Sequence, residues 1–108
     1  MDLDYSEISI GPAEAVWERL TGRVGALTYR VPSLRVGLTG DPAEAGRRLA
    51  RSQPWQVMKL LWATKCPGQA GVMASRLRSW DAKLWLDEAG LEPSRTARGT
   101  FFAYVVTM

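Results

Sequence analysis

The amino-acid sequence predicts an α+β domain, a small and mostly antiparallel sheet flanked by helices. Three observations predict it. Apolar and β-branched runs of strand length alternate with segments whose apolar residues recur at helical spacing; Gly and Pro punctuate the junctions between them; and no segment repeats. With 108 residues, 46% of them hydrophobic, the chain has material for one core and not for two, so residues 1–108 are expected to form a single domain.

Each element carries its own local signal. An acidic leader is followed by Pro12–Leu20, with Pro near a helix start and Ala13, Val16, Trp17 and Leu20 on one stripe, read as a short amphipathic helix that Gly22 ends. Ala26–Val31 and Leu34–Leu38 are two short β-type runs separated by Pro32-Ser33, which predicts an antiparallel hairpin. Asp41-Pro42 is a helix start, with Asp41 placed to accept free N–H groups and Pro42 suited to the first helical position, and the helix is expected over Pro42–Arg51. After Pro54, Gln56–Thr64 is compatible with a buried strand, although so short an apolar run does not exclude helix. Gln69–Gly90 has largely helical spacing at Val72, Met73, Leu77, Trp80, Leu84 and Trp85, which predicts the longest helix, capped by Gly90. Phe101–Thr107, aromatic and β-branched, is the expected last strand. Residues 1–25 are thus read as an acidic leader and added helix, and 26–108 as the core.

Composition excludes several chemistries. Histidine is absent, which removes the commonest general base, the histidine-dependent triads and every imidazole zinc site. Cys66 is the single cysteine, so no intramolecular disulfide forms, and next to Pro67 it reads as a turn residue with no identifiable base beside it. The longest uncharged, mainly apolar stretch, Gly99–Met108, is far shorter than the roughly 20 residues of a membrane span, and the acidic start is unlike a signal peptide, so the expectation is a cytoplasmic protein with no membrane partner. The motifs of ATP, GTP, dinucleotide and calcium sites are all missing, so no cofactor is expected. Net charge is +3, but Met1–Glu18 holds five acids and no base, leaving 14 basic and 6 acidic residues over Arg19–Met108. A body of that balance attracts polyanions, nucleic acid first.

Leu27-Thr28-Tyr29, then Arg35-Val36-Gly37-Leu38-Thr39, Asp41-Pro42 and an arginine-bearing helix resemble the GIY-YIG nuclease superfamily, and Tyr104-Val105-Val106 is similar to its closing strand. The resemblance implies phosphodiester hydrolysis in which a tyrosine helps activate water, an arginine neutralises the phosphate and a carboxylate holds a divalent metal. On that reading Tyr29 matches the first tyrosine, Gly37 the glycine of the second motif, and Arg47 or Arg48 the helical arginine, while Arg35 stands where the second tyrosine belongs. The metal-binding glutamate has no counterpart, since no carboxylate lies between Glu44 and Asp81. The resemblance therefore implies a nucleic-acid-binding domain that binds DNA or RNA without cutting, through a basic face at Arg35, Gly37, Arg47, Arg48 and Arg51, with Tyr29 the one catalytic candidate and no metal site.

Two other readings stand beside it. One is a small phage or mobile-element protein of the anti-CRISPR kind that inhibits a nucleic-acid enzyme by protein–protein contact; the other is a Mg²⁺-dependent nuclease whose carboxylate is displaced to Asp81 or Glu88. Arg76, Arg78 and Lys83, with Arg95 and Arg98, are candidates to extend the basic surface. Of the five tryptophans, Trp62 and Trp80 are expected inward, and Trp55 and Trp85 outward as anchors for bases or a protein.

Overall fold

Local signals hold best where a cap and an apolar run coincide. Asp41 sits in extended backbone and accepts the Glu44 N–H at 3.1 Å, Pro42 takes the first helical position, and the helix runs Pro42–Ser52. Residues 1–86 and 99–108 are described by the computed structural model. Within them lie β1 (Asp2–Asp4), β2 (Ser9–Ile10), α1 (Ala13–Thr28), β3 (Leu34–Thr39), α2 (Pro42–Ser52), β4 (Val57–Thr64), α3 (Pro67–Trp80) and β5 (Phe101–Thr107). The fold is α+β, with three helices and a mixed five-stranded sheet among the described residues.

β5 is the centre of that sheet. It pairs antiparallel with β3 on one side and with β4 on the other, and β4 in turn carries β1 and β2, both parallel to it. The register slips once, between Leu60 and Trp62 of β4, a bulge in an otherwise continuous ladder. Side chains alternate across the pleat, so the two faces divide cleanly. Leu34, Val36 and Leu38 with Phe101, Ala103 and Val105 face α1 and α3; Tyr104 and Val106 with Met58 and Leu60 face α2, which brings Ala45 and Leu49 onto them.

Four expectations are corrected. The hairpin is not formed: Ala26–Thr28 is the last turn of α1, Tyr29 is its C-cap, and the antiparallel partner of β3 is β5. The helix passes through Gly22 because Val16, Leu20 and Val24 continue one buried stripe, and burying Val24 and packing Leu27 outweighs about 1 kcal/mol per glycine of lost helix propensity. The long helix stops ten residues before Gly90, at Trp80, where Asp81 turns to extended backbone. Leu84–Leu86 then runs beside β3, with the Val36 N–H donating to the Leu84 carbonyl and the Leu86 N–H to the Val36 carbonyl, both at 2.8 Å. Its apolar residues cover the β3 edge rather than a helical stripe. Finally, the leader is not a polar preamble, since it supplies β1 and β2; there Asp4 accepts the Ser6 hydroxyl and backbone N–H to close the turn between them. Glu88, Gly90, Arg95 and Arg98 lie outside the described residues.

Candidate nucleic-acid interface

β3 alternates, so Arg35, Gly37 and Thr39 all point to the side that α2 covers. On that side Gly37 is paired across the sheet with Tyr104. A Cβ added at Gly37 would lie 2.5 Å from the Tyr104 hydroxyl oxygen and 2.6 Å from its Cζ, so the phenol ring lies over the glycine and only hydrogen fits beneath it. Tyr104 is 1% exposed and its hydroxyl is shut off from solvent. The conformation of Gly37 is ordinary extended backbone, so close approach, not a left-handed turn, is what its missing side chain permits.

The arginines separate into two groups. Arg35, half-buried, is the cross-strand neighbour of Val106, and one of its guanidinium N–H groups donates to the Leu34 carbonyl at 2.9 Å. Arg48, half-buried with its Nε closed to solvent, lies on α2 directly before Leu49, which packs into the Tyr104 cluster. Arg35, Gly37, Tyr104 and Arg48 therefore share one side of the sheet. Arg47 and Arg51 are further out: both are exposed and line a cleft of about 320 Å³ between α2 and β1, floored by Met1, Leu3, Ala43, Gly46 and Ala50. Arg47 is also engaged, because it meets Glu44 at 2.8 Å one helical turn away. That hydrogen bond, followed by the charge of Arg47 itself, holds the Glu44 carboxyl below the ordinary carboxylate value.

Tyr29 does not join them. It caps α1, the helix on the opposite side of the sheet, and is 93% exposed. The tyrosine that meets Gly37 is Tyr104, which sequence reasoning placed in the last strand without a site role; the signal for it was a glycine inside a strand, which calls for something large across from it. The tryptophans also redistribute. Trp62 is fully buried as expected, its Nε1 donating to the Gly11 carbonyl at 2.8 Å. Trp55 is core rather than an outward anchor, 6% exposed against Leu49 and Met58, whereas Trp80, expected inward, is 39% exposed because α3 ends there. Trp85 is half-buried beside β3.

The described residues contain no group of three or more His, Cys, Asp or Glu placed to hold a metal ion, and no helix long and apolar enough to cross a membrane. β3, β4 and β5 carry no carboxylate, and α2 carries Glu44, which Arg47 engages, with Asp41 as the helix cap, so among the described residues Arg35, Arg47, Arg48 and Arg51 outnumber the acids on this side. What the described residues of this side offer chemically is planar guanidinium donors for oxyanions. Comparison with known proteins found no matching family model, no matching curated protein and no matching solved structure.

Proposed function

We propose that the chain is a nucleic-acid-binding domain that holds phosphates without cutting them. The observation that carries this is the pair Arg35 and Arg48, brought from β3 and α2 to one side of a sheet whose three long strands hold no carboxylate. Arg51, exposed on the same helix, extends that charge toward the rim. Bidentate guanidinium geometry suits a phosphate oxygen pair better than a point charge does. The GIY-YIG-like reading belongs to this proposal as a resemblance of sequence: Gly37 keeps its match, while Tyr29, matched to the first tyrosine, caps α1 rather than ending a strand.

Anisotropy of labelled DNA and RNA at several salt concentrations tests it. The expected result is affinity that falls steeply with salt, with the log–log slope becoming shallower by about 0.7 to 0.9 for each phosphate contact removed, here through Arg35→Ala and Arg51→Ala. Incubation with Mg²⁺ or Mn²⁺ should leave the nucleic acid intact. Metal-dependent cleavage would overturn the non-cutting half of the proposal, and salt-insensitive or absent binding would overturn the whole and redirect the search to a protein partner.

A further inference from the structure

The end of α3 gathers a second kind of surface, away from the α2 side. Trp80 is 39% exposed and meets Trp17 of α1 edge to face, with ring centroids 6.0 Å apart and planes at 80°. The Arg76 guanidinium lies 5.1 Å from the centre of the Trp17 ring, and the Arg78 guanidinium 5.5 Å from that of Trp85. Two tryptophan–arginine pairs thus flank the last turn of α3, and exposed Lys83 lies past its Asp81 cap. α3 itself, Pro67–Trp80, contains no acid; among the described residues near its end, Asp81 caps the helix and accepts the Lys83 N–H at 3.0 Å, and Glu14 and Glu18 lie on α1 with Trp17.

We infer that this ridge binds unpaired nucleic acid, stacking a base on Trp80 while Arg76 and Arg78 on either side of the last turn of α3, and Lys83 beyond it, meet the phosphates. The inference rests on the nucleic-acid reading above and adds to it the form of the ligand and a separate face. An exposed aromatic ring with guanidinium groups on either side of its helix is what a single strand needs, since every base presents a π surface and every linkage a negative charge. Duplex DNA hides its base faces and leaves Trp80 nothing to stack on. A second copy of this chain is a poorer occupant: a two-fold pairing of the stripe Val72, Arg76, Trp80 would set Arg76 against its own symmetry mate.

The test uses the whole chain with fluorescein-labelled oligothymidylate, oligouridylate and a blunt duplex of equal length, together with quenching of the tryptophan emission. Single strands are expected to bind tighter than the duplex and to quench. Trp80→Leu, which keeps an apolar side chain on Trp17 but has no ring, should weaken single-strand binding by about 5- to 100-fold with little change for the duplex, and Trp80→Tyr should restore most of it. Equal effects of Trp80→Leu on both ligands, unchanged affinity in Trp80→Leu, or a duplex preference would each overturn the inference. If single strands bind and Arg35→Ala weakens them while Trp80→Leu does not, this face is wrong and the sheet-side reading stands; if nothing binds, both fail. Concentration-dependent self-association abolished by Trp80→Leu would assign the ridge to a second copy instead and overturn the inference.

Discussion

Substituting Gly37 by Ala tests the Gly37–Tyr104 contact directly. The new methyl would start 2.5 Å from the Tyr104 hydroxyl oxygen and 2.6 Å from Cζ, whereas carbon atoms rest about 3.5 to 4.0 Å apart, so ring or strand must yield by about 1 Å. Neither is loose. Tyr104 is held in the central strand between Gly37 and Leu60, and its ring packs with Met58, Leu60, Val106 and α2. Overfilling a packed site of this kind costs about 1 to 3 kcal/mol, and for a domain near this size each kcal/mol lowers the melting temperature by about 4 to 8 °C. No backbone strain is involved, because Gly37 is not in the left-handed region. Thermal and urea unfolding followed by circular dichroism would give the loss. Tyr104→Phe should not relieve it, since Cζ remains, but Tyr104→Leu removes Cζ, and the Gly37→Ala, Tyr104→Leu pair should lose less than the sum of the single losses. A Gly37→Ala variant as stable as the parent, or a full rescue by Tyr104→Phe, would refute the placement of the ring over Gly37.

Three other outcomes are expected. Gly22 and Gly71 lie inside α1 and α3 with no neighbouring atom within 4 Å of an added Cβ, so Gly22→Ala and Gly71→Ala should each stabilise the protein by about 0.4 to 1 kcal/mol, read as a rise in melting temperature. Asp41→Ala removes the α2 cap and should cost about 0.5 to 2 kcal/mol in urea unfolding, and Asp41→Asn considerably less. Glu44 should titrate below its ordinary value of 4.5 by carboxyl NMR and move back toward it in Arg47→Ala. Because its folded-state value is the depressed one, its small stabilising contribution is present above the unfolded value and disappears as pH falls through the folded one.

How much of this was legible in the sequence depends on how local the cause was. β3, α2, β4 and β5 fall within two residues of their expected bounds because each is announced nearby: Asp41-Pro42 caps, Pro54 breaks, and Phe101–Thr107 is dense in aromatic and β-branched residues. β1 and β2 were missed because Asp2–Asp4 and Ser9–Ile10 carry little strand propensity of their own; their partner is β4, half the chain away. The helix read through to Gly90 failed because Leu84 and Trp85 satisfy helical spacing equally well while serving the β3 edge. In the site, Arg35 and Gly37 follow from strand alternation alone. Tyr104 does not, since which residue lies opposite a strand glycine is decided by sheet order, and Tyr29 was misplaced by treating a helix terminus as a strand.

The central position of β5 bears on how the sheet is assembled. As the ribosome delivers the chain, β3 and β4 both appear before the strand that joins them, so neither has its main partner until Phe101–Thr107 arrives, and the domain closes from its middle in a final step. Cutting before Gly99 would leave a slot flanked on both sides by unsatisfied ladder groups. A separate peptide covering residues 99–108 is the complement of that slot, which makes the protein a natural candidate for a split reporter in which strand insertion reconstitutes the fold. The same vacancy would be hazardous in the cell, because two bare apolar strand edges facing a gap recruit whatever extended segment is nearest.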